Sequence, residues 1–244
     1  MTHGATRYRA GALLFLVLVV WHGGMARADQ PYLAAAPDLA LLLAPPPAAG
    51  SVAQAEELRR LEDIEAARTD EEARAAKADS TRSVFRFADA LGPDFQENRL
   101  PLTAALFHRV AAETEQIVDR AKGVFARPRP FAADPALHPL LVTPSDGSRP
   151  TGRSPAYPSG HSAFASVTGI LLAQAVPERK AAIFERAQAF ARNRLVAGVH
   201  YPSDVTAGTI SGTVIAAALM EDPRFREDFA GVRTEIRDVL GLEK

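Results

Sequence analysis

Residues 157–177 read Tyr-Pro-Ser-Gly-His-Ser-Ala-Phe-Ala-Ser-Val-Thr-Gly-Ile-Leu-Leu-Ala-Gln-Ala-Val-Pro. Between Ser162 and Val176 no side chain is charged, so a helix here has no solvated face of its own. The run is shorter than the roughly 20 residues that cross a bilayer, and Ser162, Ser166 and Thr168 interrupt it. Such a segment calls for a central helix covered by others. Val205–Met220 is a second charge-free run with the same properties. The periodicity predicts helices over about 161–175, 178–196 and 203–220, and no segment alternates with period two strongly enough for a strand. The expected fold is all-α, a single-domain helical bundle.

Upstream, a helix starting near Pro101 and running to about Phe125 would put Leu106, Val110, Ile117, Val118 and Phe125 along one face. Gly92-Pro93 ends the helix that carries Val84, Phe85, Phe87 and Ala88. Ser51 with Gln54, and Thr69 with Glu72, read as capping boxes. Residues 131–158 hold six prolines and Asp146-Gly147, and are expected to form a long ordered loop on the leaving-group side of any site. Residues 29–50, with Pro45-Pro46-Pro47, read as a stiff Pro/Ala-rich arm preceding a helical domain at 51–244. Residues 1–28 combine Arg7 and Arg9, the charge-free Ala10–Trp21 and Ala26-Arg27-Ala28. That is the pattern of a secretory signal peptide cleaved before Asp29, with a periplasmic destination.

The 244-residue chain has 28 basic and 29 acidic residues and a formal net charge of −1. Without residues 1–28 the balance is 25 to 29, net −4. Neither value suits a surface that coats nucleic acid. Cysteine is absent, which excludes disulfides, thiolate metal sites and cysteine nucleophiles. Lysine is confined to Lys77, Lys122, Lys180 and Lys244, and histidine beyond residue 28 to His108, His138, His161 and His200.

Three blocks concentrate these scarce residues. Lys122 precedes Arg129 by seven positions, and Pro128 and Pro130 stiffen the strap that presents the arginine. Pro158-Ser159-Gly160-His161 opens the charge-free helix, where unpaired amides and the positive end of the dipole favour an anion. There Gly160 permits close backbone approach, and Ser159 can cap the helix or donate its hydroxyl. Arg194, His200 and Asp204 form the third block; Pro202-Ser203 starts a helix whose first turn lets Asp204 reach back to the imidazole. Three cations, an amide nest, two histidines and an orienting carboxylate are what phosphoryl transfer to a protein nucleophile requires.

In order and spacing, Lys122-x6-Arg129-Pro130, Pro158-Ser159-Gly160-His161 and Arg194-x5-His200-x3-Asp204 resemble the signature of the phosphatidic acid phosphatase type 2 and vanadium haloperoxidase superfamily. In its small exported form the chain looks like a bacterial class A nonspecific acid phosphatase. The likeness extends through Ser83–Gly92 and covers most of residues 45–230. It implies His200 as the nucleophile forming a phosphohistidine, Asp204 as its orienter, and His161 as general acid and then base. It implies Lys122, Arg129, Arg194, Ser159 and Gly160 as the phosphate cradle, with no metal and no cofactor. The implied partners are small phosphate monoesters, with broad specificity and phosphate transfer to other alcohols available, and inorganic phosphate or vanadate as inhibitors. Nucleic acid is not among them, no membrane span remains after signal cleavage, and a homo-oligomer stays open. Asn193 departs from the serine common before the third-block arginine. The competing readings are a membrane-associated lipid phosphatase, a vanadate-dependent haloperoxidase and a non-catalytic periplasmic oxyanion-binding protein.

Overall fold

In the computed structural model, residues 30–141 and 154–243 are described, together with Met1. Apart from Met1, the expected signal peptide at 1–28 lies outside the described residues, as do the loop residues Asp146, Arg149 and Arg153. Tyr32 onward forms one compact unit; residues 1–31 form another, of which Met1, Gln30 and Pro31 are described.

Among the described residues of the unit from Tyr32 onward, all regular secondary structure is helical. Its α-helices are α1 (Leu39–Leu42), α2 (Val52–Ala67), α3 (Asp70–Ala78), α4 (Ala88–Leu91), α5 (Pro101–Phe125), α6 (Pro130–Ala133), α7 (Gly160–Ala175), α8 (Lys180–Val196), α9 (Pro202–Glu221) and α10 (Pro223–Val239). Short 3-10 turns occupy Val84–Phe87, Glu97–Arg99 and Pro177–Arg179. The all-α expectation holds, with three local differences. The start of the expected long loop, Pro130–Ala133, is a helical turn. Val84–Phe87 is 3-10 and passes directly into α4. At the chain's end is α10, which the sequence reading did not separate out; its Asp222 carboxylate caps the amides of Arg224 and Phe225.

The anticipated helix starts are made as their residues dictate, with one exception. Thr69 and Glu72 form the full reciprocal box, each side chain accepting from the other's backbone amide. Ser51 accepts from the Gln54 amide, but the Gln54 side chain accepts from Gly50 one residue further back, at 2.7 Å. Amide capping is achieved by either route, because the first-turn donors are equally unsatisfied.

Helix α7 lies at the centre, as its lack of charge requires. Phe164, Val167, Leu171 and Leu172 are fully buried, and the helix packs most extensively on α9 and α8 and then on α5. Two glycines on α9 set its distance from α7. A Cβ on Gly208 would lie 2.3 Å from the Ser159 carbonyl, and one on Gly212 2.3 Å from that of Ala163, closer than real carbon atoms come. This approach lets the Ser159 amide donate to the Asp204 carbonyl at 3.0 Å, which binds the N-termini of α7 and α9 together. Helix α9 is long and apolar enough to cross a membrane by length and composition, and the face it turns toward α7 is buried in this fold. In the N-terminal arm, Tyr32, Leu39 and Leu43 enter the same core as α5 and α7, and the Tyr157 hydroxyl donates to the Ala44 carbonyl.

Candidate active site

Four chain segments bring the three blocks to one place. Lys122 lies in the last turn of α5, its stem buried among Val118, Ala121 and their neighbours. The helix then stops at Ala126, which takes a left-handed conformation with φ 47° and turns the chain into Arg127-Pro128-Arg129-Pro130. Ser159 caps α7, and His161 stands in its first turn. Arg194 lies in the last turn of α8, and Gly198, at φ +69°, turns the chain so that His200 precedes α9 and Asp204 falls in that helix's first turn. Helix ends thus contribute every member of the cluster.

His200 is held by both ring nitrogens. Its Nδ1 lies 3.3 Å from Asp204 Oδ2, and the Ala156 carbonyl also accepts from the ring. With the proton on Nδ1, the Nε2 lone pair is free to accept, and Arg129 Nη1 donates to it at 2.8 Å. Arg129 is anchored by donation to the carbonyls of Ser154 and Val199, both at 2.8 Å. Lys122 Nζ donates to Ser154 Oγ and to the Pro155 carbonyl. Arg194 donates to the Ala76 carbonyl at 2.7 Å, while its buried Nε has no acceptor among the described residues. His161 gives its Nε2 proton to the Ser80 carbonyl at 2.8 Å, which leaves Nδ1 as the nitrogen able to exchange a proton.

Because these groups lie close together, each shifts the others' protonation. Burial pushes the His200 pKa well below the ordinary histidine value, and Arg129, Lys122 and Arg194 push it further. Burial and then Arg194 and Arg82 do the same to His161, against the Ser80 hydrogen bond. The Lys122 ammonium, buried beside Arg129, is lowered to about 7, and the guanidinium groups of Arg129 and Arg194 to about 10. Burial raises the Asp204 carboxyl, with Arg127 the strongest opposing influence. Cations forced together at this cost suit an anion among them. No group of three or more His, Asp or Glu side chains converges among the described residues.

Two expected members of the cradle have additional duties. Ser159 is fully buried, and its Oγ accepts from the Ser162 amide and hydroxyl. Its own hydroxyl proton stays available, whereas its amide is committed to Asp204. A Cβ on Gly160 would meet only ordinary contacts, the nearest being Arg82 Nη1 at 3.7 Å, so protein packing alone does not demand glycine there.

The sequence reading missed several neighbours. Arg127 is buried against Asp204, with its guanidinium over the Tyr201 ring. Arg82 adds a partly exposed cation beside Gly160, held by Glu115 at 2.7 Å. Asp79 is buried and accepts from Arg86, Arg186 and Asn193. Asn193 therefore fastens α8 to the end of α3 through Asp79, next to the Ala76 carbonyl that anchors Arg194. The doubled Arg-Pro at 127–130 was the available signal for Arg127; Arg82 and Asp79 had none, since only tertiary packing brings them in.

The sequence pattern of the PAP2 superfamily matches residues 102–228, which include all three blocks, and the chain belongs to that family. Among its relatives is an acid phosphatase of Zymomonas mobilis, 32% identical over 82% of this chain and 75% of the relative. A non-specific acid phosphatase of Providencia stuartii is 27% identical over 81% of this chain and 80% of its own, and one of Salmonella typhi is 35% identical over 50% and 47%. Among solved structures, a bacterial vanadium-dependent iodoperoxidase shares the fold with a TM-score of 0.57 at 18% identity. The likeness covers 73% of this chain and 52% of that one.

Proposed function

We propose that this protein is an exported acid phosphatase that hydrolyses phosphate monoesters through a phosphohistidine on His200. The observation that carries the reading is the polarity of that ring: Nδ1 faces a buried carboxylate, so the lone pair on Nε2 is directed among Arg129, Lys122 and Arg194. The homology to acid phosphatases supports the reaction class. Residues 1–28 would serve as the export signal, and specificity would be broad, with other alcohols able to replace water as acceptor.

On this reading the phosphoryl oxygens take over the N–H groups of Arg129 and the unpaired Nε of Arg194, which frees His200 Nε2 for attack in line with the leaving oxygen. The P–O bond to the alcohol breaks as the P–N bond forms. His161 delivers a proton from Nδ1 to the departing oxygen, its ring fixed by the Ser80 carbonyl. The same nitrogen, now neutral, takes a proton from water as the water oxygen attacks phosphorus and the P–N bond breaks. The cations that depress both imidazoles are offset by the arriving dianion, so substrate itself raises His161 toward its protonated, proton-donating form. A bell-shaped pH profile with an acidic optimum follows. Inorganic phosphate or vanadate would occupy the same cradle and inhibit.

The test is rapid quenching of native protein with labelled substrate. A phosphoryl group that is acid-labile, base-stable and recovered on the peptide containing His200 is the expected result; an acid-stable adduct on a hydroxyl overturns the reading. A second measurement addresses Lys122. A base whose pKa is lowered to about 7 carries charge below that pH and loses it above. His161, held below the ordinary histidine value in the free enzyme, should begin the alkaline fall of kcat/KM; Lys122 should steepen that fall from about pH 7, and Lys122→Arg should displace this second break upward by at least one unit.

A further inference from the structure

We infer that Arg127, itself held by Glu57, is a positioning residue that fixes the Asp204 carboxylate and through it the nucleophilic imidazole of His200. The inference rests on His200 being the nucleophile. Asp204 divides its two oxygens. Oδ2 accepts from the Tyr201 amide at 2.8 Å and faces His200 Nδ1, while Oδ1 accepts from Arg127 Nη1 at 2.6 Å. The carboxylate plane is therefore set by the guanidinium on one side and by the backbone on the other. Arg127 is in turn held through both of its Nη atoms. Nη1 also donates to Ser203 Oγ, Nη2 donates to Glu57 Oε2 at 2.7 Å, and the cation sits 3.7 Å over the Tyr201 ring. Glu57 closes the ring by accepting from the Ser203 amide at 2.6 Å, so it grips both the arginine and the first turn of α9.

The carboxylate has no exposed surface, and without a counter-charge a buried carboxylate takes up a proton. A protonated Asp204 would be a weaker, uncharged acceptor for His200 Nδ1 and could itself donate to that nitrogen, so the ring would lose its tautomeric bias. Charged groups reach Asp204 from several sides. From α5 and the strap after it come Lys122, Arg127 and Arg129; Tyr157 and Tyr201 respond to its charge from the segments before α7 and α9, and His200 lies against it. Among the cations of the described residues only Arg127 touches the carboxylate. Glu57 belongs to α2, outside the family-matched segment 102–228, so a helix beyond that segment is tied to the reaction centre.

The test uses the full chain with a chromogenic phosphomonoester from pH 3.5 to 8. Arg127→Met should lower kcat about 10–100-fold, the range found when a partner behind a site residue is removed. It should also move the acid limb upward in pH, because Asp204 then protonates more readily; Arg127→Lys should recover part of both. Acting through Asp204, the substitution should cost less than threefold when added to Asp204→Asn. Multiplying effects, or a native pH limb in Arg127→Met, would overturn the inference. Should Arg127→Met lose its circular-dichroism signature, Glu57→Gln alone and with Asp204→Asn decides by the same criteria. His200→Ala is measured alongside: if it keeps native turnover, the nucleophile assignment fails, whereas an inactive His200→Ala beside a native-like Arg127→Met removes only the clamp.

Discussion

His200→Ala is expected to lower turnover of a chromogenic phosphomonoester by about 10⁴-fold or more and to abolish the trapped phosphoenzyme, since removal of a nucleophile leaves only binding and electrostatic stabilisation. The loss should fall on kcat. The groups proposed to hold the phosphoryl oxygens, Arg129, Arg194 and Lys122, are each anchored to backbone carbonyls that do not involve the imidazole. Competitive inhibition by inorganic phosphate should therefore survive within a few-fold. Phosphate should even gain slightly, because Arg129 Nη1 no longer has the imidazole nitrogen as an alternative acceptor. Steady-state kinetics with phosphate as inhibitor, on protein whose helical signal matches the native, provides the check. Native kcat in this variant would remove His200 from the reaction, and lost phosphate inhibition would mean that the imidazole is instead a structural strut of the cradle.

Much of this arrangement was legible in the sequence because it follows from local chemistry. An uncharged run called for a covered helix, and Pro202-Ser203 before Asp204 marked a new helix start from which the carboxylate could reach back toward His200; the structure has both. Helix α10 was equally readable, since Phe225, Phe229, Val232 and Ile236 recur at helical spacing after an Asp-Pro start, yet its many charges obscured the stripe. What sequence alone could not supply are contacts between distant segments. Glu57 meets Ser203, Ser80 meets His161 and Asp79 meets Asn193, at separations that no motif encodes. Asn193 stood out as a departure from the family pattern; in the fold its amide bonds Asp79, inside the arginine-linked cluster that braces α8 near Arg194. The blocks thus named groups that the fold brings together, and the groups that orient them came from packing.

His161→Ala is expected to separate substrates by their leaving groups. A general acid contributes about 10²–10⁴-fold when the departing oxygen is poorly stabilised, and little when it leaves as a stable anion. Turnover of an alkyl phosphate should fall by about that factor, while formation of the phosphoenzyme from an activated aryl phosphate should be nearly unaffected. Hydrolysis of the intermediate needs His161 in its second role, so with the aryl substrate the variant should show a stoichiometric burst of phenol followed by slow steady turnover. The geometry makes this more than a generic expectation, because Nε2 is committed to the Ser80 carbonyl and one nitrogen, Nδ1, has to serve both steps. His161→Gln, whose amide can still donate but cannot take up a proton, should restore neither step to within tenfold of native. Stopped-flow measurement of the aryl burst in His161→Ala, beside quench analysis of the alkyl substrate, reads both steps. Equal losses for the two leaving groups would show that His161 aligns phosphate rather than moving a proton, and the role of proton donor would then have to pass to another group.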